Sequence, residues 1–382
     1  MTLTKFAPRC AAHALSASVA LSFGASALVM AAPAAAQTSS ALDAAFETFV
    51  PGTNPNTNKI DYSIWDEAMR NLVLSMGPSM RDTAGPPARI LNTRRQFGPV
   101  SRYRLEGSLM TFAFLNTDVI SSFGEYRRDL EATATKVDIQ ALSRNEQLAY
   151  WINLHNVALV EKLSENWPLR QPRSLEINDV PLDDAKFITV EGVSLSLRDI
   201  RENIVYKNWK NPKVIYGFWR GEIGGPALQR SAFNADNVSQ LLDRSAREFV
   251  NSLRGTQKFG SKLMVSTLYA ETAEFFFPDL ESDVRAHIAQ YANADVQDIL
   301  ANTSKFDASI REYDIADISG GAREMQIYNN SGSGRVPPAM AQLLAQRERK
   351  FELMIRRGVR TGTVTFSNIT LPGDDDDDGQ VE

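Results

Sequence analysis

The chain is almost devoid of thiols: Cys10 is its one cysteine. Cys10 lies in an N-terminal stretch that reads as a secretory signal peptide. Lys5 and Arg9 make a basic start, His13 to Met30 is rich in Ala, Leu, Val and Ser, and Ala34-Ala35-Ala36 supplies a small-residue cleavage site. Cleavage is expected after Ala36, and the product is expected to be periplasmic or secreted. No lipobox surrounds Cys10, so it leaves with the peptide. An uncleaved anchor is the alternative, and the small residues argue against it. A mature chain without cysteine has no disulfide, no thiolate nucleophile and no Cys-ligated metal. A chain of this length stabilises a core without covalent staples.

Histidine is nearly as scarce. Once His13 leaves with the peptide, His155 and His287 remain, on different predicted helices. Two imidazoles cannot build a histidine-rich metal site, and no carboxylate spacing points to a mixed one, so neither metal nor cofactor is expected. The G-x-S-x-G, H-E-x-x-H, Walker A and G-x-G-x-x-G patterns are all missing. The stretch RGEIGGPAL resembles a phosphate loop but lacks its Lys-Ser/Thr grip, which leaves a tight turn. A charge excess is missing too. Without Lys5 and Arg9, the mature chain has 39 basic against 46 acidic residues, and Asp374 to Asp378 with Glu382 carry most of that difference. The rest is close to neutral, so no nucleic-acid partner is expected. The acidic end itself reads as a disordered, solvated tail.

What the sequence does hold is one strong segment, Ser143 to Ser164. Ser143 and Glu146 have the S-x-x-E form of a capping box, and no Gly or Pro interrupts the chain from Leu148 onward. Leu148, Ala149, Ile152, Leu159, Val160 and Leu163 share one helical face, while Tyr150, Trp151, Leu154, Val157 and Ala158 fill the other. A helix apolar all round belongs inside a larger protein. Asn153, His155 and Asn156 break the apolar run, which is shorter than a membrane span, so no integral membrane segment is expected after cleavage. Buried amides need fixed partners. Asn153 and Asn156 therefore either pin neighbouring loops or line a pocket.

Around this helix the spacing predicts helices at Ala41–Val50, Ile64–Met76, Phe123–Ala134, Ser196–Val205, Asn237–Leu253 and Ser282–Tyr291, and a basic one at Met340–Arg357. Short strands are predicted at Lys186–Val190 and Val193–Leu195, joined by Glu191-Gly192, and at Val214–Phe218, Leu263–Ser266, Ile310–Ile315 and Thr363–Phe366. Ser79 to Arg104, rich in Pro, Gly and Arg, reads as a long loop. Without regular βαβ alternation the expected class is α+β, a mainly helical single domain around a buried central helix with a small, short-stranded sheet. Its expected span is 37–321, followed by a C-terminal extension, 322–382, with the basic helix and the acidic tail.

The segments NEQLAYWINLHN, VEGVSLSLRDIRENI, NPKVIYGFWRGEIGGPAL and FNADNVSQLLDRSAREFVNSL together resemble the domain-of-unknown-function 547 family. KIDYSIWDEAM and SIREYDIAD extend the resemblance to roughly Leu42–Ile318. It implies an α+β domain, often in exported bacterial proteins, with no established activity. Family members commonly carry D-P-R-I-H-F-A-L-N-C-G…S-C-P. In that alignment the histidine falls on Ile215 and the two cysteines on Arg220 and Gly225; a D-I-E-H pattern becomes Asp199-Ile200-Arg201-Glu202. A Cys, His and Glu brought together would suit thiol-based acyl transfer, and this chain lacks the residues for it.

The expectation is therefore a binding or scaffold protein that has lost a thiol-type site. Its cleft is expected between the central helix, Ser196–Val205 and the turn at Gly221–Pro226, with Asn153, Asn156, Arg201, Arg220 and Gly225 as candidates, and an unidentified small molecule or envelope protein as partner. The alternative is a hydrolase or transferase working through Glu146, His155 or Glu202, with Asp199 and Glu222 as further carboxylates. The basic helix either contacts a partner or the envelope, or packs on the main domain.

Overall fold

The computed structural model describes residues 44–81, 98–323 and 337–359. The expected signal peptide, most of the Pro- and Arg-rich stretch, the start of the C-terminal extension at 324–336, the strand at Thr363–Phe366 and the acidic tail lie outside the described residues. The fold is α+β and mainly helical. A helical turn at 44–47 precedes α1 (Ser63–Leu72), β1 (Val73–Ser75), β2 (Ser108–Met110), α2 (Thr117–Lys136) and α3 (Arg144–Glu165). Two short ribbons follow, β3 (Glu176–Ile177) with β4 (Val180–Pro181) and β5 (Ile188–Val190) with β6 (Val193–Leu195). A wide π-helical segment, Asp199–Tyr206, and a 3-10 segment, Pro212–Gly217, lead to α4 (Val238–Val250).

Next come β7 (Thr256–Phe259), β8 (Lys262–Ser266), the short helices α5 (Thr267–Glu271) and α6 (Ala273–Phe276), and the longer α7 (Leu280–Tyr291) and α8 (Ala294–Ala301). The strand β9 (Lys305–Ile310) and the helix α9 (Pro338–Arg356) complete the order. The largest sheet is β7-β8-β9, antiparallel across the first pair and parallel across the second.

Every residue of α3 from Glu146 to Glu161 is buried, so the core is built around this helix on all sides. Ser143 caps it as the capping pattern requires, its hydroxyl accepting from the Glu146 N–H at 3.2 Å. The other half of the expected capping box is absent. Glu146 reaches outward and accepts from the N–H groups of Ile60 and Ala235, both at 2.9 Å, tying two distant segments to the helix start. Helix α2 lies along α3, held by Tyr150 donating to the Leu130 carbonyl at 3.1 Å and by the buried Arg127–Glu161 ion pair.

Several local predictions differ from the structure; the helix expected at Ala41–Val50 is, among the described residues, one helical turn at 44–47. Val214–Phe218 is not a strand: Asn211 caps Lys213, Pro212 occupies the first helical position, and together they wind the run into the 3-10 segment. The strand placed at Ile310–Ile315 lies earlier, at Lys305–Ile310, where it pairs with β8. The first long helix stops at Leu72 because Val73, Leu74 and Ser75 pair with β2. Helix α9 packs on the main body through Met340, Leu343 and Met354. Its buried Lys350 donates to the carbonyls of Met76 at 2.8 Å and Leu105 at 2.6 Å. Among the described residues no helix is long and apolar enough to cross a membrane.

Candidate functional site

Beside α3 the protein has a half-open cavity of about 470 Å³, within the roughly 300–1,000 Å³ range of small-molecule sites. Helix α3 contributes His155 and Leu159 to its wall. The chain after β4 contributes Leu182, Asp183 and Asp184; the π-helical segment contributes Arg198 (at its cap), Arg201 and Glu202; the glycine turn contributes Trp219, Arg220 and Glu222. Arg173 and Glu271 close the far side.

Local sequence explains these placements. Ser196 and Asp199 cap one another reciprocally, with the Ser196 hydroxyl accepting from the Asp199 N–H at 3.0 Å and Asp199 Oδ2 accepting from the Ser196 N–H at 2.9 Å. The π-helical winding that follows is a form found often at functional sites. Gly217 lies so close to α3 that a Cβ there would sit 2.7 Å from Ile152 Cδ1. That approach lets Asn156 donate to the Gly217 carbonyl at 2.9 Å and accept from the Trp219 N–H at 3.1 Å. The segment entering the glycine turn is thereby fixed one residue before Arg220.

Arg201 is the electrostatic centre. Its residue is fully buried, and its guanidinium grips Asp183 with two parallel hydrogen bonds of 2.8 and 2.6 Å. It also donates to His155 Nε2 at 3.0 Å. A nitrogen that accepts from a guanidinium carries no proton, so the imidazole is the neutral Nδ1–H tautomer, donating to Asn156 Oδ1 at 3.0 Å. Burial, then the charge of Arg201, hold the His155 pKa well below its ordinary 6.5.

Asp183 also faces Arg198 at 3.4 Å and Arg220 at 3.6 Å. Burial alone would raise its pKa, but the three cations hold it far below the usual carboxylate range. Across the cavity Glu222, 5% exposed, pairs with Arg173 at 2.5 Å, and Glu271 bridges Arg173 and Arg220, each at 3.3 Å. Burial pushes the Glu222 carboxyl up to about 7 even against its arginine partners. Glu202 is raised as well, again by burial.

The structure thus brings His155, Arg201, Glu202, Arg220 and Glu222 to one cavity and leaves other candidates outside it. Asn153 exchanges two hydrogen bonds with the Phe233 backbone, of 2.7 and 3.1 Å, and Asn156 holds the 217–219 segment, so both amides pin loops rather than line the cavity. Glu146 borders a separate depression near Lys59 and Asp236. Gly225 lies in a shallow neighbouring hollow, where its carbonyl accepts from Arg254 at 2.6 Å. Asp199 is spent on the cap. Asp183, Arg173, Arg198 and Glu271 were not among the sequence candidates. They come from separate elements, and in sequence each looks like a solvated charge. His287 lies elsewhere, accepting from Tyr216 or donating to it at 2.8 Å.

Residues 139–250 match the family described as "Protein of unknown function, DUF547". The matched span runs from just before α3 to the end of α4 and includes every cavity residue named above except Glu271. It is narrower than the resemblance drawn from sequence segments, and the DUF547 description carries no activity. No curated protein and no solved structure matches the chain. Of the positions singled out by the resemblance drawn from the sequence, Arg201, Glu202 and Arg220 surround the cavity. Ile215 is in the core and Gly225 lies to one side. Among the described residues no cluster of His, Cys, Asp and Glu is arranged to hold a metal ion.

Proposed function

We propose that this chain is a ligand-binding member of DUF547 whose cavity has exchanged thiol-type chemistry for ion-paired recognition. One observation carries the reading: the cavity wall contains no Ser, Thr, Cys, Lys or Tyr, and its one imidazole is neutral with its acceptor nitrogen engaged by Arg201. A hydroxyl, thiol or amine nucleophile beside a free base is therefore not at hand, and each carboxylate of the wall is paired with an arginine. Four arginines and five carboxylates over an apolar floor of Leu159, Leu182, Leu197 and Trp219 instead suit a small polar molecule. The same proposal places the protein outside the cytoplasm after cleavage behind Ala36, which N-terminal sequencing of the processed protein tests.

Incubating the mature protein with acyl, peptide and thioester substrates is expected to give no turnover. Native mass spectrometry of protein purified from its own compartment is expected to show a bound small molecule that Arg220→Ala loses. Robust hydrolysis abolished by Glu222→Gln would overturn the reading in favour of acid–base catalysis. That second reading rests on Glu222, a buried cavity carboxyl titrating near neutrality.

A further inference from the structure

The cavity contains an anion of its own. Arg201 is fully buried, and Asp183 is its one carboxylate partner among the described residues, gripped through both terminal nitrogens. The two side chains differ sharply in access: the Asp183 side chain is 35% exposed and that of Arg201 is 1% exposed. The carboxylate therefore closes the cavity side of a guanidinium that solvent does not otherwise reach. Arg198 and Arg220 converge on the same carboxylate, yet each has a further acidic partner, Asp184 and Glu271 respectively. Arg201 Nε and the hydroxyl of the neighbouring Tyr206 are buried with no hydrogen-bond partner. So the protein holds a forked cation, preorganised by His155, whose charge only one partly exposed side chain neutralises.

Resting on the binding function proposed above, we propose that the Asp183 carboxylate occupies the head-group position of a carboxylate ligand, and that a small organic acid takes its place on Arg201, Arg198 and Arg220. Guanidinium forks match planar carboxylates in two-point geometry, and Asp183 already displays that geometry. A cavity of about 470 Å³ leaves room beyond the head group for the body of the acid, against Leu159, Leu182, Leu197 and Trp219. No covalent step is involved.

The test is chemical rescue in the full mature chain. Asp183→Ala leaves the Arg201 charge unneutralised and is expected to lower the melting temperature. Sodium acetate or formate is expected to restore more than half of that loss, while sodium chloride at equal ionic strength does not. Asp183→Asn preserves shape and guards against a variant that fails to fold; its melting temperature is expected to rise with acetate more than that of the wild type. Arg220→Ala combined with Asp183→Asn should weaken the acetate response. If neither Asp183 variant responds to acetate beyond chloride, the proposal is wrong. If inorganic phosphate rescues and acetate does not, the carboxylate assignment is also wrong, although the cavity remains a binding site. A ligand found by mass spectrometry that carries no acid group would have the same consequence.

Discussion

Replacing Asn156 by Ala isolates the contact that ties the central helix to the cavity. Its amide donates to the Gly217 carbonyl at 2.9 Å and accepts from the Trp219 N–H at 3.1 Å and from His155 Nδ1 at 3.0 Å. Gly217, Trp219 and His155 are all buried, so truncation leaves one acceptor and two donors without water to replace the amide. Each orphaned buried group costs about 1–3 kcal/mol, which gives about 3–5 kcal/mol after partial relaxation. That is a large share of the roughly 5–15 kcal/mol that separates folded from unfolded chains. Urea unfolding followed by tryptophan fluorescence should show the midpoint falling with little change in slope. Because Trp219 precedes Arg220, ligand binding should weaken along with stability. A loss under about 1 kcal/mol would refute the reasoning: the amide would then not be the pin that the geometry makes it.

Glu222 makes stability pH-dependent in a defined direction. Its folded pKa of about 7 lies above the ordinary 4.5, so its contribution is complete below pH 4.5 and is lost as pH rises through about 7. Glu222→Gln should therefore gain stability relative to wild type over that interval, read as the difference in melting temperature at each pH; a difference moving the other way would show that the Arg173 pair outweighs burial. Referring each value to wild type cancels the opposing contribution of His287, whose imidazole burial pushes to about 4. Deleting residues 332–382 should lower the melting temperature strongly, because Met340, Leu343 and Met354 are buried on the main body and each such side chain is worth about 1.5–3 kcal/mol. Lys350→Ala alone should cost about 2–3 kcal/mol by stranding the Met76 and Leu105 carbonyls, and no change in either variant would contradict the docking of α9.

The central helix was legible because burial on every side leaves a plain trace: apolar residues without a polar face. The hairpin at Glu191-Gly192 was legible through its turn, and both residues have positive φ. Predictions failed where a non-local or capping interaction overrode a β-branched run, as at Asn211-Pro212, or where strand pairing ended a helix early, as at Val73. Glu146 shows the same limit in reverse. Its spacing fits a capping box, but two backbone donors from remote segments claim the carboxylate. The cavity was legible in part. His155, Arg201, Glu202, Arg220 and Glu222 could be named because they lie within or beside recognisable patterns. Asp183 and Glu271 could not, since only folding brings their charges to the arginines that define them.

Adjacent residues of α3 divide the polar work by direction. Asn156 faces the 217–219 segment and is consumed as a pin, while His155 faces the cavity and is consumed as a prop for Arg201. Holding that guanidinium requires the Nε2 lone pair, and the guanidinium in turn helps to keep the ring neutral. The imidazole cannot take a proton from a substrate until Arg201 withdraws. A withdrawn Arg201 would leave Asp183 without its strongest partner and the cavity without its most buried cation. Anion binding at Arg201 and imidazole base catalysis both call on the one guanidinium, and its contacts of 3.0 Å to His155 and 2.6 Å to Asp183 leave the imidazole engaged.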